Sequence, residues 1–136
     1  MIVDTSALVA IILGEPGWGE LRRAVAAGPL RLPAPALTEL HLVAAGRNQD
    51  DAARATALVQ NLLGDGLEII PFEHHHAEIT AVARERFGKG NGQGGLLNFG
   101  DLMVYAIAKD RGEPLLCTGR DFSSTDLDIH PASRCQ

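Results

Sequence analysis

The chain has 136 residues, 46% of them apolar, and 17 acids against 12 bases give a net charge of −5. That length suits one domain, residues 1–136, with a real hydrophobic core. The acidic balance excludes a protein that holds nucleic acid chiefly by neutralising phosphates, but not an enzyme that meets nucleic acid through bound cations. It implies weak nucleic-acid affinity, or a basic strip too local for the total to show. The longest apolar runs, such as Ala7 to Leu13, are too short to span a bilayer. No basic region precedes the first apolar stretch, and Asp4 interrupts it, so neither a signal peptide nor a membrane segment is expected. Two cysteines, Cys117 and Cys135, make no disulfide framework and fit a reducing, cytoplasmic setting.

In chain order, Met1-Ile2-Val3-Asp4 reads as a short buried strand ending in an acid. Thr5 and Ser6 suit the N-cap of a helix over Ala7 to Leu13. Gly14-Glu15-Pro16-Gly17 is a break, followed by a helix over Trp18 to Ala27. Leu30 to Leu32 is a candidate strand. Pro35 fits the first turn of the next helix, whose apolar positions Leu37, Leu40, Val43 and Ala44 recur at helical spacing. Asp50 or Asp51 would cap a further helix, with Ala55, Leu58, Val59 and Leu62 on one face. Leu67 to Ile70 reads as a strand, stopped by Pro71, and His74 to Phe87 as a helix. Residues 88–95 hold five of the fifteen glycines and read as a flexible loop. A helix from Gly100 or Asp101 to Lys109, a buried strand over Pro114 to Cys117 and one short strand near Leu127 to Ile129 complete the chain. Short apolar strands alternating with helices predict an α/β fold, a mostly parallel sheet of four to five strands flanked by helices on both faces.

In such a sheet, strand C-termini and the N-termini of the following helices share one edge, where ligands bind. Asp4 ends a strand, Glu39 lies in the first turns of a helix, Asp101 starts a helix and Asp121 follows a strand. All four are therefore expected on one edge. Each has a plain structural use: a cap for Asp4 or Asp101, a dipole partner for Glu39, a turn residue for Asp121. Asp4 is the hardest to explain that way, because nothing structural beyond capping calls for a carboxylate after Met-Ile-Val. Gathered together, the four would repel one another and stay ionised only around a cation. Hard oxygen donors select Mg²⁺ or Mn²⁺, and one ion, or two about 3.5–4 Å apart, could promote phosphodiester hydrolysis.

Other features have plainer readings. His74, His75 and His76 point in different directions on a helix and read as a solvated helix start. Arg84, Arg86 and Lys89 read as a solvated face. Arg120, beside Asp121, is the better phosphate candidate. Tyr105, one turn after Asp101, reads as packing, and Cys117 as a core residue rather than a nucleophile.

The opening Met-Ile-Val-Asp-Thr-Ser-Ala-Leu-Val-Ala-Ile (1–11) resembles that of PIN-domain ribonucleases, in particular the VapC-type toxins of toxin–antitoxin pairs. The resemblance continues through Glu15-Pro16, Ala36-Leu37-Thr38-Glu39, Phe87-Gly88-Lys89-Gly90 and Leu97-Asn98-Phe99-Gly100-Asp101. It closes with Tyr105 to Lys109, Pro114 to Leu116, Thr118 to Phe122 and Thr125 to Leu127, so it covers essentially the whole chain. It implies catalytic, metal-binding acids at Asp4, Glu39, Asp101 and Asp121, with support from Thr5, Ser6 and Thr118. It further implies dependence on Mg²⁺ or Mn²⁺, endonucleolytic cleavage of RNA, a homodimer, and inhibition by a cognate VapB-type antitoxin that inserts a basic or aromatic segment near the acidic pocket. Members of the family often carry basic residues and a proline where this chain has Asn91 to Gly95, which leaves substrate choice open. Two other readings compete. An aspartate-nucleophile phosphatase would want a second Asp two residues after Asp4, where Ser6 stands. A non-enzymatic domain would use the acid pocket only to receive a basic peptide.

Overall fold

A computed structural model describes residues 1–135. Ten elements alternate along the chain: β1 (Ile2–Val3), α1 (Thr5–Leu13), α2 (Trp18–Ala26), β2 (Arg31–Pro33), α3 (Ala34–Arg47), α4 (Gln49–Gly64), β3 (Glu68–Ile70), α5 (His74–Phe87), α6 (Phe99–Arg111) and β4 (Leu115–Leu116). The four strands form one sheet in the order β3-β2-β1-β4, and every pairing is parallel. Parallel pairs joined through helices cross over right-handed, and the chain reverses its direction of travel across the sheet after β3. That rule sets α1 to α4 on one face and α5 and α6 on the other. Accordingly, α1 packs on α2, α3 and α4, while α5 packs on α6. The reversal leaves a crevice between β1 and β4, at their carboxyl ends.

The neighbouring strands β1 and β4 are completely buried: Ile2, Val3, Leu115 and Leu116 have no exposed surface. Ala7, Leu8, Leu21, Leu32, Leu40, Val104 and Ile107 fill the space between helices and sheet. Strands buried on both faces read as continuous apolar runs, which is why they were visible at two or three residues each.

Several boundaries differ from the expectations. Asp4, not Thr5 or Ser6, caps α1: its backbone is extended and its carboxylate accepts the Ser6 N–H. The cap therefore falls one residue earlier, and the helix begins at Thr5. Asn48, not Asp50 or Asp51, caps α4 by accepting the Asp51 N–H at 2.8 Å. Asp51 is instead buried in the first turn, paired with Arg47. The tail near Leu127 to Ile129 makes no strand, only an isolated parallel bridge from Ile129 to Leu115. Asp101 does not start α6; the helix begins at Phe99, capped by Asn98, and runs on to Arg111.

Nor is the glycine-rich segment loose at its base. Gly88 bridges Leu97, and the Asn91 carboxamide oxygen accepts the N–H groups of Gln93 and Gly95. Gly95 is required there, since a Cβ would lie 2.3 Å from the Gly88 carbonyl oxygen. No helix among the described residues is long and apolar enough to cross a membrane.

Candidate metal centre

The carboxyl ends of β1 and β4, with the first turns of α3 and α6, bring the acids near one another. Asp4 leaves the end of β1, buried, and its Oδ2 accepts both the Ser6 N–H at 3.0 Å and the Ser6 hydroxyl at 2.5 Å. The Ser6 oxygen in turn accepts the Thr118 N–H at 3.0 Å, which ties the end of β4 to the start of α1. Ser6 thus touches the acid directly, whereas Thr118 acts through its backbone rather than its hydroxyl. Thr5 supports at longer range: its buried hydroxyl donates to the Ala36 carbonyl at 2.9 Å and fixes α3 against α1.

Asp101 comes from the first turn of α6 through a reciprocal cap. Asn98 accepts the Asp101 N–H at 2.9 Å, and Asp101 accepts the Asn98 N–H at 3.1 Å. This pattern, a capping residue followed three positions later by an acid, was present in the sequence. Asn98 is therefore an orienting residue the sequence reading passed over. Glu39 arrives from α3 with its Oε2 so near Gly100 that a Cβ there would lie 2.9 Å from it. Asp121 is exposed in the turn after β4, beside an exposed Arg120.

The four acids lie near enough for their charges to act on one another. Burial pushes the Asp4 carboxyl up, against the Ser6 hydrogen bonds that hold it down, and the Asp121 charge raises it further. Burial and the Asp4 charge raise Glu39. Asp101 is pushed up to about 7, first by burial and then by the charges of Asp4 and Asp121. No cation offsets this among the described residues, and in that the cluster is unlike the other partly buried acids. Glu113, at the opposite edge of the sheet, collects the terminal amine, Arg31 and Arg111. Although part burial opposes them, these cations hold it at about 2. Asp51 has Arg47, and Asp126 has Lys109 and Arg86. Four neighbouring oxygen-donor side chains without a cation partner among the described residues would suit a hard divalent cation, whose charge would remove the repulsion.

Gly100 offers a test of this packing. Gly100→Ala is expected to change stability little, because alanine favours a helix by up to about 1 kcal/mol over glycine and the atom it meets ends a flexible side chain. It is also expected to displace the Glu39 carboxylate, lowering divalent-metal affinity in titration calorimetry. Unchanged affinity would show that Glu39 lies outside the site.

A second group of donors lies at the far end of α6, roughly 14 Å along the helix from Asp101. Donor atoms of His75, His76 and Asp110 lie within 4.8 Å of one another. The histidines are not a solvated helix start throughout, for His76 is 3% exposed. It closes a capping box, its Nδ1 accepting the Glu73 N–H at 2.9 Å. Its proton must then sit on Nε2, 3.1 Å from the Asp110 carboxylate. Both ring nitrogens of His76 are engaged, so this residue locks α5 to α6 and has no lone pair of its own for an ion. Tyr105 is packing, as expected: it is buried, with its hydroxyl donating to Asp126 at 2.6 Å.

A parallel α/β sheet with an acid-lined crevice at its switch point defines the class, and comparison with known proteins refines it. The PIN domain family matches residues 1–127. Ribonuclease VapC42 of Mycobacterium tuberculosis is 40% identical over 129 residues, covering 93% of this chain and 96% of that protein. Ribonuclease VapC36 of the same organism is 39% identical over 133 residues, covering 95% and 92%. The solved structure of M. tuberculosis VapC20, a sarcin-ricin loop cleaving toxin, superposes with a TM-score of 0.70 over 93% of this chain and 95% of that one, at 19% identity. The chain belongs to the PIN-domain family, among the VapC ribonucleases.

Proposed function

We propose that the chain is a metal-dependent endoribonuclease, the toxin of a toxin–antitoxin pair, with Asp4, Glu39, Asp101 and Asp121 as its catalytic and metal-holding acids. The observation that carries this reading is the convergence of four unpaired acids at the β1–β4 switch point, when the other partly buried acids described are neutralised. The names of the curated relatives supply the substrate class.

Mg²⁺ or Mn²⁺ bound there would activate a water for attack on the phosphodiester and stabilise the leaving oxygen. The chain's own residues set the stage for that chemistry. Ser6 holds the Asp4 carboxylate in one orientation, and Asn98 does the same for Asp101. Gly100 leaves room for Glu39. Exposed Arg120 is suited to hold a substrate phosphate beside Asp121.

The net charge of −5 favours a basic inhibitory segment through electrostatic steering, and solved relatives include toxin–antitoxin complexes. A homodimer is part of the proposal. Exposed Leu42 and Phe99, flanking Glu39, supply apolar surface that such a contact would cover. The phosphatase alternative finds no support, since Ser6 stands where its second acid would be and donates its hydroxyl to Asp4. A mere peptide-binding pocket would not need the metal. Purified protein with Mn²⁺ is expected to cut RNA and to lose that activity in excess chelator. Cleavage unaffected by chelator would overturn the metal assignment, and no cleavage of any RNA would favour the binding module.

A further inference from the structure

Cys117 and Cys135 are free thiols, and their sulfur atoms lie 3.3 Å apart across 18 residues of chain. Backbone geometry, rather than two loose side chains, makes the contact. The Arg134 N–H donates to the Cys117 carbonyl at 3.0 Å, and the Gly119 N–H donates to the Arg134 carbonyl at 2.8 Å. A parallel bridge thus joins Thr118 to Arg134. Ser133 adds two bonds, accepting the Cys117 N–H and donating to the Leu115 carbonyl, both at 3.1 Å. Arg134 also reaches Glu20 at 3.5 Å, which holds the segment from the α2 side. The two thiols differ in access. Cys117 has no exposed surface, while Cys135 is partly exposed.

We propose that Cys117 and Cys135 form a redox-modification site, joined by a hydroperoxide in a reversible intramolecular disulfide. Cys135, the accessible thiol, attacks the peroxide oxygen, which breaks the O–O bond. This gives a sulfenic acid on Cys135 and releases water from hydrogen peroxide, or an alcohol from an organic peroxide. The Cys117 sulfur then attacks the Cys135 sulfur, and the hydroxyl leaves with the Cys117 proton as a second water. Two thiols lose two electrons in all, and the peroxide gains them. The sulfurs need to close a remaining gap of about 1.3 Å to reach bonding distance. Burial pushes the Cys117 thiol up, so it does not react first with oxidant but waits as the resolving partner.

The bond would fasten the 128–135 segment to the end of β4 and close a loop containing Asp121. It would lie one residue from Thr118, whose N–H holds Ser6 against Asp4. A cytoplasmic disulfide of this kind belongs with the transient, redox-sensing ones.

The test treats the full chain with hydrogen peroxide and reads thiol titre, intact mass and non-reducing mobility. The expected result is loss of both thiols, a mass about 2 Da lower, unchanged monomer mobility and full reversal by a dithiol reductant. Covalent dimers, or Cys135 gaining oxygens while Cys117 stays free, would overturn the proposal. Two variants keep it falsifiable if one fails to fold. In Cys117→Ala, a sulfenic acid on Cys135 should become trappable by a dimedone-type nucleophile, and equal trapping in the unaltered chain would count against a resolving Cys117. In the surface variant Cys135→Ser, Cys117 should stay reduced; rapid oxidation of Cys117 alone would reverse the assigned order.

Discussion

Asp4→Asn is expected to lower Mn²⁺-dependent RNA cleavage by about 10³-fold or more, equivalent to about 4 kcal/mol of barrier, while leaving the fold intact. The second half of that statement gives the experiment its force. Asp4 is also the N-cap of α1, accepting from the Ser6 backbone and hydroxyl. Asparagine caps a helix about as well as aspartate and offers a carboxamide oxygen to the same donors. What it removes is the charge, which burial and the Asp121 carboxylate already penalise. The variant should therefore melt no lower than the parent without metal, and loss of cleavage could not be blamed on unfolding. Circular dichroism melting beside a cleavage assay on the same preparation reads both. Parental activity in Asp4→Asn would sink the assignment of this acid to the catalytic centre.

The second large effect is a pH linkage at Asp101. Its carboxyl is raised from an ordinary 3.8 to about 7. Between those values the folded chain holds a proton that the unfolded chain has released. Stability without metal should therefore fall as pH rises through this window and level off above about 7, by an amount on the order of 4 kcal/mol. Divalent cations reverse the sense, because they bind the ionised carboxylate and must displace the proton below pH 7. The increment in melting temperature from added Mg²⁺ or Mn²⁺ should be larger at pH 8 than at pH 6. In Asp101→Asn, which can keep the reciprocal cap with Asn98, the metal-free protein should be more stable than the parent at pH 8 and show a shallower pH slope, what remains coming from Asp4 and Glu39. Equal metal increments at both pH values, or an unchanged slope in the variant, would show that Asp101 is neither strained nor a ligand.

The two edges of the sheet explain why such effects concentrate at one end. At the amino edge, Glu113 is surrounded by three cations and is held at about 2. At the carboxyl edge the acids meet one another's charge and no cation among the described residues. A fold seeking stability alone would not keep four carboxylates there, and sites tuned for chemistry often break the rules that the rest of a chain obeys.

Much of this could be read before any coordinates. The apolar runs at Ile2-Val3 and Leu115-Leu116, the helical spacing from Leu37 to Ala44 and the break at Gly64 to Gly66 give local signals, because each depends on neighbours a few residues away. Asp4, Glu39, Asp101 and Asp121 could be assigned to one edge because parallel topology dictates where strands end and helices begin. Other features depended on groups distant in sequence. That Ser6 reaches both Asp4 and the Thr118 amide needs β1 and β4 to be neighbours, a pairing across more than a hundred residues. His76 looked like one of three surface histidines, yet packing of α5 on α6 buries it against Asp110. The strain on Asp101 and the contact of Cys117 with Cys135 likewise come from packing that local pattern does not encode. The sequence alone determined which acids stand at strand ends and helix starts, since those positions follow from local periodicity and from the sense of parallel strands. Only the tertiary structure decided which of them are left without a cation, because burial and charge at a point are sums over side chains the fold brings from every part of the chain.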